Sequence, residues 1–318
     1  MSDYLAEHAE QVRLASERIH GKVRRTPTLP TDLDPGLRLK PECFQVTGSF
    51  KTRGAFNAVL SLMERERPRG VIAVSSGNHA QAVALAARSV GVPALILIPE
   101  DANPTKVAAT RALGAEVMQE GITFANREAR LREVMAERGF TLVHPFDDWA
   151  VIHGHGTAAV ELLEDAPDLD VIATPVGGGG LLSGTAIAAR SRRPSVKVVG
   201  VEPEQADDAY RTWRSGSIQT LPSSPTTLAD GVRATAIGKR NFEVMVTNGL
   251  IDEIVTVTEE EIAEGLRVAW TRLRLALEPT GALPLAAYVA GKLPAGRRGL
   301  ILSGGNANFE TVARLLTP

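Results

Sequence analysis

Short apolar runs rich in β-branched residues alternate along this chain with segments of helical period, and this alternation constrains the fold more than any other feature. The runs cover residues 70–74, 94–98, 115–118, 141–144, 171–176, 197–201 and 299–302. A strand that returns through a helix lies parallel to the strand it left, so the pattern predicts an α/β chain built on mostly parallel sheets. Alanine-rich helical stretches at 80–90 and 105–113 lie between the early strands and group residues 65–147 as one compact unit. Residues 1–64 and 148–318 would then join as a second, larger unit.

At 318 residues the chain is long enough for two units of ordinary size. A net charge of −2 leaves no electrostatic footprint for nucleic acid or an anionic membrane surface. Cys43 is the only cysteine, so no intrachain disulfide can form. There is no basic start followed by an apolar run and no apolar stretch of membrane-spanning length, which leads to the expectation of a cytoplasmic protein. The Pro-rich segment 221–225 reads as a loop.

The strongest chemical signal is Gly177-Gly178-Gly179-Gly180, between a strand-like run and the helix-like segment opening at Leu181. Four glycines let backbone N–H groups encircle a phosphate, and the helix N-terminus adds a favourable dipole. A Gly-Lys-Ser/Thr ending is absent, so this is not a mononucleotide P-loop. A non-catalytic dinucleotide-binding protein is the reading from a different class, since Glu202 falls about where a ribose-binding acid would stand. The glycine spacing fails the G-x-G-x-x-G pattern from every start, with Leu182 or Ser183 in the third slot. The loop Ser75-Ser76-Gly77-Asn78-His79 follows a strand and opens a helix, so its amides also face a small anion. Lys51, in Ser49-Phe50-Lys51-Thr52, is the lysine a nucleophilic or Schiff-base role would use, against the plain reading of a solvated side chain.

Taken in order, the segments 47–55, 75–79, 177–180 and Ser303-Gly304-Gly305-Asn306 resemble the serine/threonine dehydratase and serine racemase family of pyridoxal-phosphate enzymes. The resemblance runs from Arg25-Thr26-Pro27 almost to the end of the chain. It implies fold type II: two three-layer α/β/α domains with mostly parallel twisted sheets, the small one inserted in the large one, and the active site in the cleft between. It also implies pyridoxal 5'-phosphate as cofactor, carried on Lys51 as a Schiff base, with Phe50, Asn78, Gly177 to Gly180, Leu181, Gly231, Glu278 and Ser303 around it. Ser303 matches a hydroxyl facing the pyridine nitrogen, and a neutral hydroxyl makes the ring a weaker electron sink than a carboxylate would. Glu278 matches a glutamate near the ring, with a helix-ending Glu-Pro as the plain alternative.

For the substrate, the resemblance implies that Ser75, Ser76, Gly77, Asn78 and His79 grip a carboxylate. Ser76 matches the acid/base hydroxyl of serine racemases, and a helix N-cap serine is the other reading. The activity implied is dehydration and deamination of a β-hydroxy amino acid, L-threonine or L-serine, to a 2-oxo acid and ammonia, with serine racemase as the near alternative. Arg127 falls near an arginine that reaches a second carboxylate, which brings in threo-3-hydroxyaspartate; a surface arginine is the plain reading. Ala234 stands where serine racemases usually carry a serine. Glu202 and Asp208 flank an acidic turn that reads as a solvated loop or, with the Ala206 carbonyl, as a hard-cation site. The resemblance favours the second, with Mg2+ or Ca2+ in a structural, activating role. It further implies a homodimer or higher homo-oligomer, a possible nucleotide effector, and no appended regulatory domain after Asn306. His153 and His155, read as two loop histidines, are too few for a zinc site and are left without a role.

Overall fold

The computed structural model describes residues 2–316. Its strands are β1 (Leu29–Pro30), β2 (Leu37–Pro41), β3 (Val71–Val74), β4 (Ala94–Leu97), β5 (Glu116–Met118), β6 (Thr141–Leu142), β7 (Val171–Pro175), β8 (Lys197–Pro203), β9 (Glu253–Val257) and β10 (Arg298–Leu302). They form a six-stranded sheet in the order β1-β2-β10-β7-β8-β9 and a four-stranded sheet in the order β5-β4-β3-β6. Every pairing among these strands is parallel except β1 with β2. Parallel strands need crossover helices on both faces, and β4 and β7 are accordingly buried at every position.

All four strands of the smaller sheet fall between residues 71 and 142, whereas the larger sheet takes strands from before and after that stretch. The first part of the chain is closed onto the last by β2 and β10, with Leu39 opposite Leu300 and Lys40 opposite Ile301. Three loops at the carboxyl ends of parallel strands then converge: 75–79 after β3, 177–180 after β7 and 303–306 after β10. Crevices at that end of a parallel sheet are where open α/β folds bind ligands.

Three helices set the site: Lys51–Arg65, Trp149–Asp165 and Gly180–Arg192. The long middle one lies against both others at glycine contacts. A Cβ at Gly154 would stand 2.6 Å from the Arg53 carbonyl, and one at Gly184 would stand 2.4 Å from the Ile152 carbonyl. His153 and His155 belong to this middle helix, not to a loop, because Asp148 caps it by accepting from the N–H groups of Ala150 and Val151.

The start of the Lys51–Arg65 helix is fastened by a buried ionic cluster. Arg53, wholly buried, donates to both carboxylate oxygens of Glu42 (2.8 and 2.9 Å) and to both of Glu161 (2.7 and 2.8 Å). Lys40, equally buried, donates to Glu161 (2.7 Å) and to the Thr26 carbonyl (2.6 Å), and the Thr26 hydroxyl donates to Glu42. Two cations and two anions balance, and each is hydrogen-bonded, the condition under which buried charge is tolerated. Glu42→Ala would leave the guanidinium half-paired in the interior and is expected to cost about 3–5 kcal/mol. Denaturant unfolding of the purified protein measures this, and a loss under about 1 kcal/mol, the scale of an exposed pair, would refute it.

Candidate active site

The converging loops enclose a cavity of about 330 Å³. Among its lining residues are Phe50, Lys51, Ser75, Ser76, Gly77, Asn78, His79, Arg127, Gly177 to Gly180, Leu181, Gly231, Glu278 and Ser303. The structure therefore brings together every residue the sequence reading assigned to cofactor or substrate. Glu202, Ala206 and Asp208 lie outside it.

Lys51 opens its helix and donates from Nζ to the Pro145 carbonyl at 2.6 Å. Burial lowers its pKa from 10.5 to about 7, since desolvation penalises the charged form. Pro145 is held where it is by His144, whose Nδ1 accepts from the N–H groups of Phe146 (3.3 Å) and Asp147 (2.8 Å). No sequence motif marks this turn. Its partner is a main-chain oxygen, which any residue could have supplied.

The glycine run is required by its neighbours as well as open to a ligand. A Cβ at Gly178 would lie 2.3 Å from the Phe146 ring, and Gly179 has φ +95°, in the left-handed region. Gly179 caps the Gly180–Arg192 helix without a side-chain hydrogen bond. The first-turn N–H groups are thus available for an anion in the cavity.

On the other side, the 303–306 segment is tied to the Lys51 segment. Ser49 and Gly304 form a β-bridge, Phe50 N–H donates to the Ser303 carbonyl at 3.0 Å, and Gly305 N–H donates to the Gly48 carbonyl at 2.9 Å. Ser303 is 1 % exposed and its hydroxyl has no hydrogen-bond partner among the described residues. A buried hydroxyl left unmatched costs stability unless a ligand answers it. Asn78 donates from Nδ2 to Glu278 at 2.8 Å and accepts at Oδ1 from Asn306 at 2.8 Å, leaving its second N–H free. Burial, then the Asp230 charge, raises the Glu278 carboxyl to about 7. Glu278 starts the Pro279–Val289 helix and ends none.

His79 is buried, with Nε2 2.8 Å from the Val143 carbonyl; burial and then the Lys51 charge lower its pKa to about 3, so it is neutral. Ser76 is not the N-cap of the Asn78–Ser89 helix. Gly77 holds that position, and Ser75 Oγ instead accepts from Gly77 N–H. The Arg127 guanidinium stacks 3.4 Å over the Phe124 ring at the cavity wall. Ala234 also lines the cavity, as do Lys106 and Arg233, which sequence reasoning did not single out.

His153 and His155 face different ways, which rules out a shared metal. His153 Nε2 is 2.9 Å from His8 Nδ1 and its ring stacks on Trp149, whereas His155 packs against Phe50 with centroids 4.6 Å apart. Glu202, near the end of β8, and Asp208, which opens the Asp208–Ser215 helix, are both fully buried. Glu202 accepts from the N–H groups of Ala209 and Tyr210, but neither Asp208 oxygen has a partner among the described residues. Burial raises both carboxyls, Asp208 to about 7, and the Asp208 charge adds to the rise at Glu202. No group of three or more His, Cys, Asp or Glu side chains among the described residues is arranged for a metal ion, and no described helix is long and apolar enough to cross a membrane.

Comparison with known proteins agrees with this geometry. The pattern of the family described as "Pyridoxal-phosphate dependent enzyme" matches residues 19–304. The chain is 43 % identical over 310 residues to the L-threo-3-hydroxyaspartate ammonia-lyase of Saccharomyces cerevisiae, covering 95 % of this chain and 94 % of that one. It is 39 % identical over 317 residues to the serine racemase of Dictyostelium discoideum, covering 96 % and 97 %. The crystal structure of the T.th. threonine deaminase superposes with a TM-score of 0.89 at 46 % identity, covering 94 % of this chain and 98 % of that one. With the cavity, the unmatched Ser303 hydroxyl and the desolvated Lys51 all in place, the chain belongs to the pyridoxal-phosphate dependent enzymes, in their fold-type II branch.

Proposed function

We propose that this protein is an ammonia-lyase that dehydrates and deaminates a β-hydroxy amino acid to a 2-oxo acid and ammonia. The observation that carries the reading is Lys51, a desolvated amine between a glycine cradle and an unmatched buried hydroxyl in one cavity. Pyridoxal phosphate, when bound, supplies a conjugated electron sink for negative charge at the substrate α-carbon. The first-turn N–H groups after Gly179 would hold its phosphate. The unmatched Ser303 Oγ would answer the ring nitrogen, and the free N–H of Asn78 would be available to an oxygen on the ring. The amides of 75–79 orient the substrate carboxylate. Lys51 Nζ would hold the cofactor and, as a neutral amine, would take the proton from the substrate α-carbon. The same reading takes residues 65–147 as a small domain inserted between 1–64 and 148–318, supported by the confinement of the four-stranded sheet to 71–142.

Serine racemisation is the second reading, supported by Ser76, a cavity hydroxyl distinct from Lys51 that no helix cap consumes. Arg127 supports a substrate with a second carboxylate, as in hydroxyaspartate. For the metal, the unmatched Asp208 oxygens fit a hard cation shared with Glu202 and the Ala206 carbonyl. Mg2+ or Ca2+ there would neutralise two buried carboxylates, which is a structural role.

Three outcomes are expected. The purified protein should show the visible absorbance of lysine-bound cofactor and release 2-oxo acid from one of L-threonine, L-serine or L-threo-3-hydroxyaspartate. Lys51→Ala should lose both signals, and chiral analysis yielding mainly D-serine would move the reading to racemase. In protein freed of cofactor, the rate at which added pyridoxal phosphate regains colour should rise with pH through a midpoint at about 7, because the amine is protonated below its pKa and nucleophilic above it. A midpoint near the ordinary lysine value would mean that Lys51 is solvated. Chelation should lower the thermal midpoint and added Mg2+ or Ca2+ should restore it; an unchanged midpoint would remove the cation from the reading.

A further inference from the structure

Lys106 and Asp230 reach the cavity from different sheets. Lys106 lies in the Pro104–Ala112 helix, which packs on the four-stranded sheet, and Asp230 lies in the 230–232 turn, which packs on the Pro279–Val289 helix that covers the six-stranded one. Their side chains meet in an ion pair, Nζ to Oδ2 at 2.7 Å, and both line the cavity. The Asp230 turn is a fixed anchor. Gly231 N–H donates to Thr280 Oγ1 at 2.9 Å, close in sequence to Glu278, while Leu228 N–H and the Thr227 hydroxyl both donate to Glu259. Deeper in, Asn78 makes a second bridge between the same two sheets, to Glu278 and Asn306. The side chains of Lys106 and Asp230 are 28 % and 47 % exposed, whereas Glu278 is a buried residue, so the ion pair stands on the solvent side of the cavity and the amide bridge on its floor.

We propose that Lys106 and Asp230 are positioning residues, a clasp that holds the two sheets closed over bound substrate in the lyase reaction. An ion pair this exposed adds little to global stability. Placed across the mouth of a cavity between two separately built sheets, the same small energy acts on the population of the closed form instead. Closure is useful here because it strengthens the electrostatic interactions of the site and keeps bulk water from the reacting centre. The clasp also keeps the charge near Glu278 balanced, since Asp230 raises and Lys106 lowers the proton affinity of that carboxyl.

The inference rests on the proposed reaction, so its test has one readout that needs no turnover. In the holoenzyme, amide hydrogen exchange of segment 104–112 is expected to quicken in Lys106→Met and in Asp230→Asn, and to slow again in the charge-swapped variant carrying Lys106→Asp and Asp230→Lys. With the preferred amino acid, each single variant should raise KM about two- to fivefold, the range an exposed ion pair supports, with a smaller change in kcat and an unshifted thermal midpoint. The swap should recover most of the KM. A merely structural role would lower the thermal midpoint and kcat together. Unchanged exchange and KM in both single variants overturns the clasp, as does a swap no better than either single change. An effect of Lys106→Met that Asp230→Asn does not share also overturns it, because Lys106 would then contact substrate directly. Absence of turnover in the parent protein, with the exchange pattern as expected, would count against the reaction and not against the clasp.

Discussion

Arg53 is the residue on which the rest of the structure depends. Its guanidinium, itself fully buried, satisfies Glu42, at the end of β2, and Glu161, in the long Trp149–Asp165 helix, with four hydrogen bonds. Because it lies two residues after Lys51 in the same first helical turn, those bonds determine where the lysine stands. Arginine suits this role since its planar fork meets two carboxylates at once, which a lysine ammonium does not. The glycines of the middle helix add the other constraint: by letting backbones touch, they bring the Lys51 helix and the cradle helix against one common support.

The buried floor of the site built on that support has side chains near neutrality and carries unmet groups. Burial holds His79 uncharged and brings Lys51 and Glu278 to values near neutrality. Ser303 faces the cavity end of β10 with an unanswered hydroxyl. Such arrangements weaken a protein by themselves and are retained where a ligand completes them. The surface of the molecule behaves differently, with exposed pairs such as Arg13–Glu17 and Arg25–Glu164 that contribute little each. Lys106–Asp230 has the exposure of a surface pair and the position of a cavity contact, which is why its effect falls on closure.

Several features were not legible in the chain because their partners are distant. Leu37–Pro41 does not read as a central strand, since its Arg38 and Lys40 suggest a solvated edge, yet Lys40 is fully buried once Glu161 and the Thr26 carbonyl reach it. The two histidines of His153-Gly154-His155 look like a loop pair because two glycines flank His155. In the folded chain those glycines are helix contacts and the imidazoles serve separate neighbours. Ser76 reads as a cap by residue type, but the turn places Gly77 at that position.

What the sequence determined by itself was the alternation of strands and helices, the mostly parallel sheets, and the four local motifs that line the cavity. These depend on periodicity and on short-range backbone chemistry, both of which are written in contiguous residues. Only the tertiary structure decided that Pro145 receives the Lys51 amine, that Asn78 spans from Glu278 to Asn306, and that Lys106 meets Asp230. Those contacts join residues from 94 to 228 positions apart. Their energies depend on burial and approach, and neither quantity exists until the two sheets have packed.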